Sequence, residues 1–189
     1  MELLKQRIIN DGTLKEGNVI KVDSFLNHQI DIGLLNEIGK EIKARFSSDK
    51  IDKILTIEAS GIAIAVIAAQ YFNVPVVFAK KTESKNLDND TYESSVYSYT
   101  KNKTYTIKVS KRYLKEGENI LIIDDFLANG KAAEGLIDII NKANCNLVGV
   151  GIVIEKGFQK GGDNIRRKDI KLESLAIVES IDGEKIIFR

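Results

Sequence analysis

Two adjacent acids at the end of an apolar run are the residues of this sequence best suited to chemistry. Asp124 and Asp125 follow the apolar residues 120–123, and a short loop with Gly130 and Lys131 leads from them into a helical run. This order predicts a buried strand, a charged strand end and a turn that presents backbone N–H groups at the positive end of a helix dipole. Since two carboxylates repel a bare phosphate, we expect a ligand that also carries hydroxyl groups or a magnesium ion. A sugar phosphate with vicinal hydroxyls meets that requirement.

Polar or basic residues also follow the other predicted strands, at the sheet edge where ligands bind in open α/β proteins. Ser60 and Gly61 form the first strand-to-helix turn, which suits an anion, although a plain turn with Ser60 as the helix cap is an equally good interpretation. Three lysines follow the second strand and indicate either an anion site or a solvated charge run: Lys80, Lys81 and Lys85. Lys156 ends the fourth strand, where an exposed lysine is the alternative.

Spacing excludes two common phosphate-binding motifs. The loop before Lys131 lacks the Gly-x-x-x-x-Gly-Lys-[Ser/Thr] pattern of P-loop proteins. No Gly-x-Gly-x-x-Gly follows the first predicted strand, so the dinucleotide fingerprint is missing as well.

Alternating strands and helices must position these residues. Apolar runs and helical periodicity predict strands at 53–58, 75–79, 118–125 and 147–155, helices at 62–72 and 131–143, and edge strands at 172–178 and 185–188. Strands that alternate with helices form right-handed βαβ units, so the fold class is α/β with a central, mostly parallel sheet covered on both faces by helices. We expect a single domain over residues 1–189.

Three segments of the pattern carry further expectations. The N-terminal part predicts a helix at 3–9, a strand at 19–22 and a helix at 34–46. A polar insert at about 82–110, with partly alternating tyrosines, predicts a flexible hairpin placed where an active-site lid would lie. The predicted helix 62–72 is apolar almost all round, so it is either deeply buried or part of a subunit contact.

Composition excludes several classes of function. A hydrophobic content of 43% and a charged content of 29% are ordinary for a globular protein. A net charge of +1 gives no support to a nucleic-acid or membrane partner. Cys145 is the one cysteine, which excludes an internal disulfide, and His28 is the one histidine, which we read as a loop residue. The start Met1–Lys5 carries an acid and no sustained apolar run, which predicts a cytoplasmic protein.

The segment from Ile122 to Ala132 resembles the signature of the type I phosphoribosyltransferase family. That signature is an apolar strand, two acids, three variable residues, and then a small polar residue and glycine before a helix. The resemblance covers essentially the whole chain, and within the family it is closest to bacterial enzymes that act on xanthine. It implies the type I phosphoribosyltransferase fold with an N-terminal hood, mainly residues 1–35, and the flexible hairpin.

The resemblance also implies a role for each site residue. Asp124 and Asp125 are the catalytic acids, which bind the ribose hydroxyls of phosphoribosyl pyrophosphate (PRPP). The remaining PRPP-binding residues are Ala128, Asn129, Gly130, Lys131 and Ala132 around the 5-phosphate, and Ser60, Gly61 and Lys81 at the pyrophosphate. The xanthine-binding residues are Ile20, Asn27, Phe126 and Lys156. Magnesium is expected to bind with PRPP, its direct ligands are left open, and a homodimer is expected.

The loop departs from the family pattern in its phosphate donors and in a residue that bears on the choice of purine. Asn129 and Ala132 stand where threonines are frequent, and Ala128 stands where hypoxanthine–guanine enzymes carry an Asp that handles the N7 proton. Xanthine is acidic enough to need such a base least, but adenine enzymes share this Ala. Lys156 is a pure donor, which favours a 6-oxo purine over adenine. Adenine or hypoxanthine–guanine transfer, and a non-catalytic PRPP-sensing regulator, remain the alternatives.

Overall fold

The computed structural model describes residues 1–81, 90–98, 102–183 and 185–189. The predicted site residue Lys85 and the predicted hairpin residue Tyr99 lie outside these ranges. The helices are α1 (Glu2–Asp11), α2 (Ile32–Arg45), α3 (Ser60–Phe72), α4 (Lys131–Lys142) and α5 (Gly161–Arg166). The strands are β1 (Thr13–Lys15), β2 (Val19–Lys21), β3 (Lys53–Ile57), β4 (Val76–Ala79), β5 (Thr91–Ser98), β6 (Lys103–Ser110), β7 (Asn119–Leu127), β8 (Asn146–Lys156), β9 (Leu172–Asp182) and β10 (Lys185–Phe188).

Six strands form the central sheet in the order β10-β9-β8-β7-β3-β4. All neighbours are parallel except β9 and β10, so the predicted mostly parallel α/β sheet is confirmed. The prediction that 172–178 is an edge strand was wrong. β10 pairs along the outer side of β9, which makes β9 an interior strand and buries Leu175, Ala176 and Val178. The run is apolar because it is covered, not because it ends the sheet.

Both faces of the sheet are buried, which explains the continuous apolar runs. Ile54 and Leu121 point into a core shared with α2, α3 and the N-terminal segment, whereas Leu55 and Ile120 point into a second core under α4. Successive side chains of a strand leave on opposite faces, so a strand covered on both faces is buried along its whole length. All residues of β3 are buried, and most residues of β3 and β7 are apolar.

The N-terminal hood is built from α1, the β1–β2 hairpin and a π-helical turn at Asp23–Asn27. Phe25 and Leu26 are fully buried beneath this turn, and they hold it against the core. Asp31 then caps α2 by accepting the backbone N–H of Leu34 at 3.1 Å. This sequence of anchors carries Asn27 to the edge of the sheet.

The predicted hairpin is present as β5 and β6, paired antiparallel. Val96, Ile107 and Val109 are buried against α4, and backbone hydrogen bonds join Lys80 to Lys108 beside the end of β4. The body of the hairpin is therefore part of the second core. The flexibility expected for about 82–110, and the closure of the hairpin, stay predictions.

Helix α3 buries only one of its sides in this chain. Ile64, Ala65 and Ala68 are buried, whereas Val66 is 45% exposed on the opposite side. Of the two expectations for this apolar helix, complete burial does not hold within one chain. Among the described residues there is no helix long and apolar enough to cross a membrane.

Candidate active site

The two acids lie inside the end of β7 rather than after it. β7 continues to Leu127, which pairs with Glu155 of β8, so the predicted strand end at residue 125 was two residues early. Asp124 and Asp125 are nearly buried, with 5% and 8% of their surfaces exposed. Burial, and then the charge of Asp125, raise the pKa of Asp124 well above its usual range. A pair of close carboxylates held in this way is suited to hydroxyl groups or to a positively charged centre.

The first strand-to-helix turn packs directly against these acids. A side chain at Gly61 would lie 2.9 Å from Asp124 Oδ1 and 2.2 Å from Thr56 Oγ1, so only glycine fits there. Helix α3 begins at Ser60 with Ala59 as its N-cap and no capping side chain, so the interpretation of Ser60 as the cap was wrong. The peptide between Glu58 and Ala59 is cis. The turn therefore brings uncapped helix N–H groups beside the acids.

Lys81 joins this group from the end of β4. Its backbone N–H donates to the Glu58 carboxylate, which ties the end of β4 to the turn. Its ammonium lies 5.6 Å from the centre of the Tyr105 ring, and its charge partly offsets the raised pKa of Asp124. Burial, and then Asp124, raise the pKa of Tyr105. The structure thus brings Lys81 to the acids, as predicted, and adds Tyr105 of the hairpin.

The predicted phosphate loop, residues 128–132, lines an open cavity of about 190 Å³. Gly130 has a φ of +81°, a conformation that favours glycine, and it precedes α4 with no side-chain cap. Tyr97 and Tyr105 of the hairpin form the other wall. The loop therefore offers the N–H groups of a helix N-terminus to an anion inside a walled cleft.

The residues predicted to bind the base come from three separated parts of the chain. Asn27 reaches the acids, and its side-chain amide donates to Asp125 Oδ2 at 3.1 Å. Ile20 is 5% exposed and packs in the first core, and Phe126 is partly buried against the same core. Lys156 lies with its Nζ 5.9 Å from the centre of the Phe126 ring. Three of these residues thus lie near the acids or on their strand: Asn27, Phe126 and Lys156. Ile20 lies in the hydrophobic core.

Lys156 is half-buried at the end of β8, and within the described part of the chain it has no carboxylate partner. Burial lowers its pKa. A partly buried ammonium with an aromatic ring as its main neighbour needs an acceptor oxygen to compensate for lost solvation. The interpretation of Lys156 as a plain exposed lysine is therefore wrong.

Comparison with known proteins identifies the family to which this geometry belongs. A model of the phosphoribosyl transferase domain matches residues 22–184. The chain belongs to the phosphoribosyltransferase family. A relative from Alkaliphilus metalliredigens, named xanthine phosphoribosyltransferase, is 67% identical over all of this chain and 94% of its own length. Another of that name from Clostridioides difficile is 63% identical over the full length of both.

Solved structures of adenine phosphoribosyltransferases share the fold. The enzyme from Leishmania tarentolae has a TM-score of 0.78 at 18% identity, and it covers 96% of this chain and 90% of its own. That from Thermoanaerobacter pseudethanolicus has a TM-score of 0.75 at 19% identity, with 93% and 98% covered. At such identities the likeness concerns the fold alone, and it confirms the type I phosphoribosyltransferase fold expected from the sequence.

A resident metal does not fit the donor set of this phosphoribosyltransferase. No group of three or more His, Cys, Asp or Glu side chains able to hold a metal occurs in the described ranges. Asp124 and Asp125 supply only two carboxylates, and the carboxylate of Glu58 already accepts the backbone N–H of Lys81. A divalent cation at this site would need oxygen ligands from the substrate itself.

Several residues near the site were missed by the sequence analysis. Thr56 Oγ1 is buried beside Gly61, and the described residues offer it no hydrogen-bond partner. Tyr105 was noted only as part of a hairpin. The buried carboxylate of Glu155 pairs with Arg166, which holds α5 beside the phosphate loop. Only the alternation of the hairpin tyrosines gave a signal. The other contacts join residues of two different secondary-structure elements, and residue spacing does not reveal how such elements pack.

Proposed function

We propose that this protein transfers the 5-phosphoribosyl group from PRPP to xanthine, giving xanthosine 5′-monophosphate and pyrophosphate in purine salvage. The observation that carries the choice of base is Lys156, a half-buried cation beside Phe126 at the same sheet edge as the acids. The names of the relatives at high identity over the full length support the same assignment.

The sugar half of the substrate is assigned to the loop and the acids. Backbone N–H groups of residues 128–132 bind the 5-phosphate, and Asn129 adds an amide donor. Asp124 and Asp125 bind the ribose hydroxyls. Their negative charge also stabilises the positive charge that develops on the ribose ring as pyrophosphate leaves. Burial strengthens that interaction because the local dielectric is low.

The leaving pyrophosphate is assigned to the turn at Ser60 and Gly61 and to Lys81. Magnesium enters with the diphosphate as part of the substrate, and most of its oxygen ligands come from the phosphates. There it offsets the negative charge of the leaving group. Tyr105 and Tyr97 of the hairpin stand over the reaction centre and exclude water, which would otherwise hydrolyse the activated sugar.

The base half is assigned to Lys156, Phe126, Asn27 and Ile20. Lys156 donates to the 6-oxo group, and the ring of Phe126 lies against the purine. Asn27 reads the 2-oxo group that distinguishes xanthine from hypoxanthine, and Ile20 supports it from the hood. A purine ring nitrogen then attacks the anomeric carbon, the bond to pyrophosphate breaks, and the base loses its proton. Ala128 supplies no base for that proton, which suits an acidic purine.

One assay tests the proposal directly. Xanthine, guanine, hypoxanthine and adenine are incubated in parallel with PRPP, magnesium and the protein, and nucleotide formation is followed. We expect the highest kcat/KM with xanthine. A preference for adenine would overturn the 6-oxo assignment to Lys156, and PRPP binding without any nucleotide formation would indicate a regulator instead.

We also propose a cytoplasmic homodimer. Val66 of α3 and Phe78 of β4 are 45% and 38% exposed on one chain, and an open surface cavity lies between α3 and β4. A second copy would cover these apolar groups. Sedimentation should give a dimer at micromolar concentration, and Val66→Glu should shift it towards monomer. A wild-type monomer under those conditions contradicts the assignment.

A further inference from the structure

We propose that Glu155 and Arg166 are positioning residues, which link the loop that holds the 5-phosphate to the lysine that reads the base. The inference deepens the proposed function and rests on it for the roles of residues 128–132 and Lys156. We call the pair the Glu155–Arg166 link. Neither residue touches the substrate in this assignment; both act by holding residues that do.

The link joins a buried carboxylate to a partly exposed arginine. Glu155 is 2% exposed, and Arg166 donates to its two oxygens at 2.7 Å each. Ser174 of β9 donates to Glu155 Oε2 as well. Two-pronged arginine–carboxylate bonds fix orientation as well as distance. Because a buried carboxylate is costly without partners, the arginine is strongly held in place.

Arg166 supports the phosphate loop through α5. This helix has only six residues, so it has little stability of its own. Gly161 at its start donates its N–H to the carbonyl of Ala128 at 3.0 Å. A side chain at Gly130 would lie 3.1 Å from the Cα of Gly161. Arg166, the last residue of α5, therefore anchors the backbone that packs on the loop, together with Ile165, which is buried in the second core.

Glu155 supports Lys156, the next residue of β8. Glu155 and Lys156 are neighbours on β8, and their side chains leave on opposite faces of the strand. Fixing the Glu155 carboxylate therefore fixes the backbone from which Lys156 extends. A side chain at Gly162 would lie 1.9 Å from Glu155 Oε1, so α5 also packs closely on the carboxylate itself. The ion pair thus adds a side-chain constraint to the spacing between the 5-phosphate site and the base site, which the pairing of β7 with β8 also holds.

That spacing matters because the two sites hold opposite ends of the nucleotide being formed. The attacking nitrogen and the anomeric carbon must meet in a near-attack geometry, and a misplacement of about 1 Å can cost about a hundredfold in rate.

The test compares Arg166→Met and Arg166→Lys with a matched ion pair far from the site. Lys171 pairs with Asp49 at 2.7 Å and precedes β9 at the opposite end of the sheet. The side chain of Lys171 is as exposed as that of Arg166, whereas Asp49 is more exposed than Glu155. PRPP affinity is measured by calorimetry without base, and kcat and KM are measured with xanthine. Arg166→Met should weaken PRPP binding by about tenfold and lower kcat/KM by about a hundredfold. Arg166→Lys, which keeps the charge without the two-pronged bond, should fall in between.

Lys171→Met is expected to lower the melting temperature while kinetics well below it stay within about twofold of wild type. If Arg166→Met matches that behaviour, the link is structural only and the proposal is overturned. If Arg166→Met fails to fold, Arg166→Lys serves as the test variant. Unchanged PRPP affinity and kinetics in Arg166→Lys would then overturn the proposal.

The pH profile gives a readout that a merely structural role would not move. Burial alone would raise the pKa of Glu155, but bonds from Arg166 and Ser174, with the more distant charge of Arg189, outweigh it and lower that pKa. The link is intact above this lowered pKa and is lost as the pH falls through it. In Arg166→Lys the pKa of Glu155 rises, so the acidic fall of kcat/KM should begin at a higher pH than in wild type. An unshifted acidic limb contradicts the link.

The outcomes separate this proposal from the proposed function. If wild type does not use xanthine but Arg166→Met weakens PRPP binding, the choice of base fails while the link to the phosphate loop stands. If wild type converts xanthine and neither Arg166 variant differs from Lys171→Met, the link alone fails.

Discussion

The sugar-phosphate half and the base half of the site are built in different ways. The first is largely one continuous segment, from Asp124 through Ala132, in which two carboxylates are followed by backbone N–H groups. The second takes Asn27 from the hood and Lys156 from β8, and it relies on side chains. A backbone site tolerates changes of side chain, whereas a side-chain site changes specificity with each substitution.

This difference suggests how the family can keep one reaction while it changes the base. Departures from the family pattern at Asn129 and Ala132 remove hydroxyls but leave the backbone donors in place. At Lys156 no backbone donor would replace the side chain, because the proposed donor is the ammonium group itself. We therefore expect substitutions in the first half to act on turnover and PRPP binding, and those in the second half to act on the choice of base.

The largest effect is expected from the acids. Asp124→Asn with Asp125→Asn should lower kcat by at least about a hundredfold, because charge stabilisation in a buried site is the main contribution assigned to them. Steady-state kinetics measure this effect, and circular dichroism checks the fold. Asp138→Asn on the surface of α4 is the control and should be near wild type. A folded double variant with normal turnover would remove the acids from the mechanism.

The next effect tests the phosphate loop. Gly130→Val should weaken PRPP binding by about tenfold or more and leave base binding less affected, because φ is +81° and Gly161 lies 3.1 Å from the added Cβ. Gly117→Val is a matched control, since it has a φ of +79° and nothing within 4 Å. Calorimetry should show a PRPP defect for Gly130→Val alone. Equal affinities in both variants would count against the loop.

A smaller effect tests the base half. Lys156→Ala should lower kcat/KM for xanthine by about ten- to hundredfold, since a bond from a charged donor contributes roughly 1.5–3 kcal/mol. The loss should be smaller for any residual adenine activity, which offers no carbonyl. Lys160→Ala, an exposed lysine just beyond, is the control. An equal loss for both bases would assign Lys156 to general structure.

The smallest effect separates the two possible roles of Asn27. If it reads the 2-oxo group, Asn27→Ala should narrow the preference for xanthine over hypoxanthine by about three- to tenfold, as a net hydrogen bond of roughly 0.5–1.5 kcal/mol implies. If it acts only by holding Asp125, both bases should lose activity alike. Ser24→Ala in the same turn is the control. The ratio of kcat/KM for xanthine to kcat/KM for hypoxanthine distinguishes the two roles.

Patterns within a few residues were enough to predict most of the fold. Strands and helices were found within a few residues of their observed ends, because apolar periodicity is local and both faces of the sheet are covered. Helix α5 was missed, since its first residues, Gly161 and Gly162, are poor helix formers with no apolar period. Glycine is required at both positions because Gly161 packs on Ala128 and Gly162 packs on Glu155. Residue spacing does not reveal such packing.

The sequence by itself determined the fold class, and it led to the proposed roles of the acids and the loop, because Asp124 to Ala132 is one local segment. Only the tertiary structure decided which distant groups complete it. Asn27 meets Asp125, Tyr105 lies near Asp124, and Arg166 pairs with Glu155. The physical reason is that a hydrogen bond or an ion pair depends on distances of about 3 Å. For residues far apart in sequence, such distances are set by the packing of the whole sheet rather than by the spacing of residues along the chain.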